Sequence, residues 1–73
     1  MRSTYHVKYK LFDADKVRGI DVIAENKYSA YDEAVFTKIF EKENEYPYSA
    51  WVESVTYNNG NHHVFNTFEG NPY

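Results

Sequence analysis

Several short stretches of the chain alternate apolar and polar residues, the pattern of β-strands with one buried face. The clearest covers residues 4–12, where basic side chains separate the apolar ones. Its apolar set is Tyr5, Val7, Tyr9 and Leu11. A second run, 17–25, places Ile20, Val22 and Ala24 on one face. The short polar segment between the two runs predicts an antiparallel hairpin.

A second hairpin is predicted near the end of the chain. Residues 48–57 and 61–68 are rich in β-branched and aromatic side chains, and Asn59-Gly60 lies between them. Asn-Gly favours a type I′ turn, because both central residues of that turn need a positive φ, which Asn and Gly adopt at low cost. This turn predicts the register, in which Tyr57 faces His62, Val55 faces Val64, Glu53 faces Asn66 and Trp51 faces Phe68. We expect that face, which holds the only Trp, to be the core side.

Between the hairpins, residues 30–44 carry apolar side chains at helical spacing. The stripe consists of Tyr31, Val35 and Ile39, with Phe36 and Phe40 beside it. Ser29 is the predicted N-cap, with Asp32 at the third helical position. Pro47 prevents the helix from continuing far beyond Tyr46.

The element order is therefore β-β-α-β-β, and we predict one domain, 1–73, of the α+β class. The expected architecture is a two-layer sandwich: a mainly antiparallel four-stranded sheet with one helix on one face. The order of the strands cannot be read from the sequence.

Aromatic residues make up 19% of the chain and there is no cysteine. A single small core cannot hide all of these rings, so several tyrosines should lie at the surface, where they favour binding interfaces. The sheet face without a helix should also expose apolar residues. We therefore predict that the chain can form a homodimer, with Phe65 and Val52 as the self-association residues.

Charge is distributed unevenly along the chain, whose net charge is −3. Residues 1–27 hold six Lys or Arg and four acids, whereas residues 28–73 hold two Lys and seven acids. This balance does not favour a general nucleic-acid binder. The alternative keeps a nucleic-acid site on the basic first hairpin, formed by His6, Lys8, Lys10 and Arg18.

The end of the predicted helix is acidic, although the helix dipole favours cations there. This segment is either a solvated helix end or, in the hypothesis that we carry forward, the binding surface for a protein partner that is basic. Its candidate residues are Glu41, Glu43, Glu45, Tyr46 and Tyr48.

No catalytic or metal-binding motif is present in the sequence. His62 and His63 are adjacent in a predicted strand, so they should point to opposite faces and not share one ion. None of the Ser or Thr residues lies in a nucleophile motif or beside an obvious His-acid pair. We therefore predict no enzyme activity, no cofactor and no metal.

The sequence has no apolar stretch long enough for a membrane span and no apolar signal-peptide region, so we expect a cytoplasmic protein. Residues 51–57 (Trp-Val-Glu-Ser-Val-Thr-Tyr), Asn59-Gly60 and the tail 65–73 (Phe-Asn-Thr-Phe-Glu-Gly-Asn-Pro-Tyr) resemble short phage and prophage proteins of Gram-positive bacteria. The resemblance implies a bacterial host and an inhibitor, of the anti-CRISPR kind, of a host nucleic-acid enzyme.

The first functional hypothesis is a non-enzymatic protein-binding module acting through the acidic, Tyr-rich surface. The alternatives are a small nucleic-acid-binding protein and a purely structural homodimer.

Overall fold

The computed structural model describes residues 2–73, which form one open four-stranded sheet with a helix packed on one face. The strands are β1 (Ser3–Lys10), β2 (Arg18–Ala24), β3 (Ser49–Thr56) and β4 (His62–Val64). They lie in the order β2-β1-β3-β4, and each neighbouring pair is antiparallel. The predicted α+β fold is confirmed. We call the face of the sheet opposite the helix the outer face.

The helix runs through three successive segments. Lys27–Glu33 is α-helical (α1), Ala34–Lys38 is a π-helical turn, and Ile39–Glu43 is α-helical again (α2). Asn26 caps the start, because its side chain accepts a hydrogen bond from the Ser29 amide at 2.9 Å. The predicted N-cap at Ser29 was wrong, because the helix already begins at Lys27 and Asn26, which has an extended backbone, is its N-cap.

The π turn changes which helical side chains meet the sheet. The Ile39 amide donates to the Ala34 carbonyl, five residues back, so Ala34 and Ile39 share the buried side. Phe36 and Phe40 are 65% and 37% exposed. The predicted apolar stripe is therefore only partly confirmed, because Ile39 is buried while Phe36, two residues after buried Ala34, and Phe40 lie toward solvent.

The core lies between the helix and the inner face of the sheet. β1 contributes Tyr5, Val7 and Tyr9 of the predicted set, and Leu11 follows directly after the strand. β2 adds Val22 and Ala24, β3 adds Ala50, Val52 and Val55, and the helix adds Ala30, Ala34 and Ile39. The small alanines let the helix approach the sheet closely. The large side chains of β1 then fill the space between the helix and the sheet.

The second hairpin turns differently from the prediction. The Gly60 amide donates to the Tyr57 carbonyl at 2.9 Å, and the Tyr57 amide donates to the Asn61 carbonyl at 2.8 Å. Gly60 has a φ of 90°, while Asn59 has no positive φ. The loop therefore spans 58–60 and ends in a glycine bulge instead of a type I′ turn. The longer loop shifts the register by one residue.

Two features of the pairing decide which side chains of β3 and β4 lie on each face of the sheet. Val55 faces His63 rather than Val64, so His63 lies on the helix side and Val64 on the outer face. Within β3 the pairing with β1 also shifts between His6 and Val7, which leaves Glu53 as a bulge. Trp51 then pairs with Lys8 on the outer face. Trp51 is only 8% exposed, but its predicted place in the helix-side core was wrong.

The tail after β4 covers the edge of β3 that β4 leaves unpaired. The Val52 amide donates to the Pro72 carbonyl at 3.1 Å, and the Thr67 hydroxyl donates to the Val52 carbonyl. The ring of Tyr73 then packs on Tyr28 of α1, with centroids 4.7 Å apart. The tail thus blocks a strand edge that would otherwise be free to pair with another chain.

Candidate functional sites

A continuous chain of polar side chains crosses the outer face of the sheet. His6 lies at its centre because the alternation of β1 points Tyr5 and Val7 inward and His6 outward. Its Nδ1 is 2.7 Å from Asp21 Oδ1 on β2, and its Nε2 is 2.9 Å from Thr56 Oγ1 on β3. Thr56 Oγ1 lies 3.1 Å from His62 Nδ1 on β4. Each of the four strands therefore contributes one member.

The direction of these hydrogen bonds follows from what each group can donate. An ionised Asp21 can only accept, so His6 Nδ1 carries the proton that it shares with Asp21. In a neutral His6, Nε2 then accepts the hydrogen of the Thr56 hydroxyl. The same hydroxyl oxygen accepts a hydrogen bond from His62 Nδ1. The order carboxylate, imidazole, hydroxyl is the one in which an imidazole can withdraw a hydroxyl proton.

An open groove runs beside this chain of side chains. His6, Asp21 and His62 line it, together with Val7, Lys8, Gly19, Ile20, Glu53 and Ser54. A Cβ built on Gly19 would lie 3.3 Å from Lys8 Nζ. The glycine therefore leaves room for the lysine to lie across β2. The groove combines one ammonium group with two carboxylates and two imidazoles.

The sequence did not point to this cluster. Asp21, His6, Thr56 and His62 belong to four separate strands, so no local motif joins them. Only the strand order brings them together, because it places β1 between β2 and β3. The one available signal was that His6 lies on the polar side of an alternating strand.

His62 and His63 point to opposite faces, as the alternation predicted. His63 packs against Phe65 on the helix side, with ring centroids 5.0 Å apart, while His62 lies 5.7 Å from His6 on the outer face. In the part of the chain that the structure describes, no three His, Cys, Asp or Glu side chains are placed to hold one metal ion.

Glu43, a predicted partner-binding residue, is instead tied into the fold. The Tyr9 hydroxyl donates to Glu43 Oε2 at 2.5 Å, and Arg18 Nη1 lies 2.8 Å from both carboxylate oxygens. The hydrogen bond from Tyr9 and then that from Arg18 lower the pKa of Glu43. Its side chain is only 10% exposed, so the prediction that it is free for a partner was wrong.

The other residues of the acidic segment remain at the surface. Glu41 and Glu45 are exposed, and Tyr46 and Tyr48 are 54% and 61% exposed. Tyr46 contacts Phe40 and Phe36, with centroid distances of 4.7 and 6.4 Å. We call the group Phe36, Phe40 and Tyr46 the aromatic patch. Sequence reasoning missed the two phenylalanines because it placed them beside the buried stripe of the helix.

A second exposed aromatic pair lies where β1 ends and β3 begins. The rings of Phe12 and Tyr48 meet edge to face, with centroids 5.2 Å apart. Both are more than half exposed, at 68% and 61%. Tyr48 is thus a surface residue, as predicted, but it contacts Phe12 and not the aromatic patch.

The predicted self-association residues do not lie bare on the uncovered sheet face. Val52 is fully buried in the core. Phe65 is half-buried and stacks on Tyr5 with an interplanar angle of 5°, and Lys27 Nζ lies 5.2 Å from its centroid. The bulge in β3 and the shifted hairpin register turned both residues to the helix side. The homodimer stays a prediction, without these residues at its centre.

The basic residues of the nucleic-acid alternative are divided between the two faces. His6, Lys8 and Lys10 share the outer face, but Arg18 pairs with Tyr9 and binds Glu43 on the helix side. Lys10 Nζ also lies 3.5 Å from Glu69. Lys8 shares the groove with Asp21 and Glu53, whose carboxylates would repel a phosphate backbone.

Comparisons of the chain with protein-family models, curated proteins and solved structures find no match. The resemblance to phage proteins therefore stays a prediction. Within residues 2–73, no helix has the length and apolar character needed to cross a membrane.

Proposed function

We propose that this protein is a protein-binding module that docks through the aromatic patch and the acids beside it. The observation that carries the proposal is the contact of three exposed rings, Phe36, Phe40 and Tyr46, on the surface of so small a fold. Contiguous apolar surface of this kind marks interaction sites in soluble proteins. Aromatic residues also dominate the energetic centres of protein interfaces.

The way the patch is built supports a binding role. A π turn lies at the patch, and Phe36, two residues after buried Ala34, faces solvent from it. Such turns occur frequently at functional sites. Phe36 is 65% exposed there.

The patch is also held in a defined position before any partner binds. The Tyr9 and Arg18 contacts fix Glu43 in the last turn of α2. The helix then ends at Asn44, whose φ of 59° and hydrogen bond to the Phe40 carbonyl turn the chain toward Tyr46. A surface that is already ordered loses less conformational entropy on binding.

The chemistry of the surroundings suggests the kind of partner. Exposed Glu41 and Glu45 flank Phe40 and Tyr46 in sequence, while Glu43 is already paired with Arg18. The partner would supply an apolar pocket for the rings with Lys or Arg at its rim. An inhibitor of a bacterial nucleic-acid enzyme, as the phage resemblance implies, belongs to this class because such enzymes carry basic surfaces.

The test is an affinity capture from a bacterial lysate with immobilised wild-type protein and matched variants. Phe36→Ala and Tyr46→Ala should lose a specific partner that the wild type retains. Ile23→Ala removes an equally exposed apolar side chain on β2, 58% exposed, and should retain it. Glu45→Lys should weaken retention at low salt more than at high salt. A partner that survives both aromatic substitutions would contradict the proposal.

A further inference from the structure

The outer-face cluster places a hydroxyl, an imidazole and a carboxylate in line. We propose that Thr56 is a nucleophile activated by His6, and that it accepts the acyl group of small activated carboxylic esters. This inference concerns the outer face and is independent of the aromatic patch. It also revises the sequence-based prediction that no Ser or Thr has a His-acid pair.

The geometry supplies the general base. Thr56 Oγ1 and His6 Nε2 are 2.9 Å apart, within hydrogen-bond reach for proton transfer. Asp21 Oδ1, 2.7 Å from Nδ1, holds the imidazole in the tautomer that leaves Nε2 free to take the proton. Asp21 acts through His6 in this scheme, so it is a positioning residue.

A substrate can reach His6 from the groove, and Thr56 is half-buried directly beside that imidazole. The His6 side chain is 27% exposed and lines the groove together with His62 and Lys8. The groove is shallow and open, so it suits a small ester and not an extended chain. The other imidazole, His62, has its Nδ1 3.1 Å from Thr56 Oγ1, where it can turn to donate to the oxyanion that forms on the acyl carbon.

The reaction balances with water as the second reactant. Thr56 Oγ1 bonds to the ester carbonyl carbon while its proton passes to His6 Nε2. The bond from that carbon to the leaving oxygen breaks, and His6 gives the proton to the departing alcohol. Water then attacks the acyl-threonine with His6 as base, which releases the carboxylic acid and restores the Thr56 hydroxyl.

The experiment incubates the folded protein with p-nitrophenyl acetate, follows release of p-nitrophenol and locates the acetyl group by peptide mass mapping. The expected result is an acetyl group on Thr56 of the wild type. Formation of that adduct should fall by about 100-fold or more in His6→Gln, the lower end of what a general base contributes. Thr56→Ser should still acylate at position 56, whereas Asp21→Asn should be slower and Asp21→Glu should recover part of the rate.

The matched control is His63→Gln, which removes an exposed imidazole from the opposite face and so measures unspecific catalysis by histidine. It should leave the Thr56 adduct unchanged. An acetyl group found in the wild type only on lysines, histidines or the N-terminus would overturn the proposal. Thr56→Val reacting at the wild-type rate would overturn it as well. Mapping the wild-type adduct keeps the test decisive even if a variant does not fold.

Discussion

The hydroxyl of Tyr9 donates a hydrogen bond to the carboxylate of Glu43 over 2.5 Å and so links the central strand to the last turn of the helix. Arg18 of β2 completes the arrangement by binding the same carboxylate. A charged group at the end of the helix is thereby used inside the fold. The exposed acids around it, Glu41 and Glu45, are the ones left for a partner.

Acid should weaken the wild type more than a variant that lacks the Glu43 carboxylate. The hydrogen bonds from Tyr9 and Arg18 lower the pKa of Glu43 below its ordinary value of 4.5. A carboxyl group with a lowered folded pKa stabilises the fold above the unfolded pKa, and this contribution disappears as the pH falls through the folded pKa. Below pH 4.5, the free energy of unfolding in urea should therefore fall less steeply for Glu43→Gln than for the wild type. Glu45→Gln is the control and should follow the wild type.

Alkali should destabilise the fold through Tyr9, the hydrogen-bond partner of Glu43. Burial first, and then the hydrogen bond to Glu43, raise the pKa of Tyr9 from 10.0 to about 12. The folded state keeps this proton while the unfolded state loses it, so stability should decline as the pH rises from 10.0 toward 12. Tyr9→Phe should show a smaller decline, because burial also raises the pKa of Tyr5 and that of Tyr31. Urea unfolding measures it, and the tyrosinate absorbance of the two proteins should differ only in the upper part of the range. Tyrosinate titration curves of the two proteins that coincide over the whole range from 10.0 to about 12 would contradict the raised pKa of Tyr9.

Gly60→Val should destabilise the second hairpin by roughly 1–3 kcal/mol, because a β-branched residue is strained at positive φ. Gly60 has a φ of 90° and no heavy atom within 4 Å of a built Cβ, so backbone strain alone is responsible. Gly60→Asn should lose less, since Asn tolerates the left-handed region better. Thermal unfolding compares them, and an unchanged melting temperature for Gly60→Val would place the turn elsewhere.

Trp51→Ala should destabilise by about 3–5 kcal/mol, although the side chain lies outside the helix-side core. Trp51 is only 8% exposed, so its loss leaves a cavity on the outer face. Phe12→Ala removes a ring that is 68% exposed and should change stability by less than about 1 kcal/mol. Urea unfolding followed by circular dichroism serves both variants, since one of them has no Trp. Equal stability of the two variants would mean that Trp51 is not packed.

Strand existence and the helix-side positions of β1 followed from the sequence because a period of two is a local property. No tertiary information was needed to place Tyr5, Val7 and Tyr9 on one face, because polar residues alternate with them along the strand. The end of the helix near Asn44 followed in the same way from Pro47 downstream. These are features that a few adjacent residues determine through backbone sterics.

The candidate sites depended on how separate elements meet. An extra residue in the loop 58–60 and a bulge at Glu53 each shift a strand by one position, and each shift turns side chains to the other face. Which of two close turns forms depends on packing of the whole hairpin, so Trp51 could not be placed from the Asn-Gly pair. The π turn at Ala34–Lys38 likewise forms where the helix fits the sheet.

The sequence by itself determined the class of the fold, the β-β-α-β-β order and the polar side of β1 that holds His6, because alternation and helical spacing are written along the chain. Tertiary structure alone decided that β1 lies between β2 and β3. That order places Asp21, His6 and Thr56 side by side and sets Tyr9 under Glu43. The physical reason is that contacts between strands depend on how the whole sheet packs against the helix, which no single segment encodes.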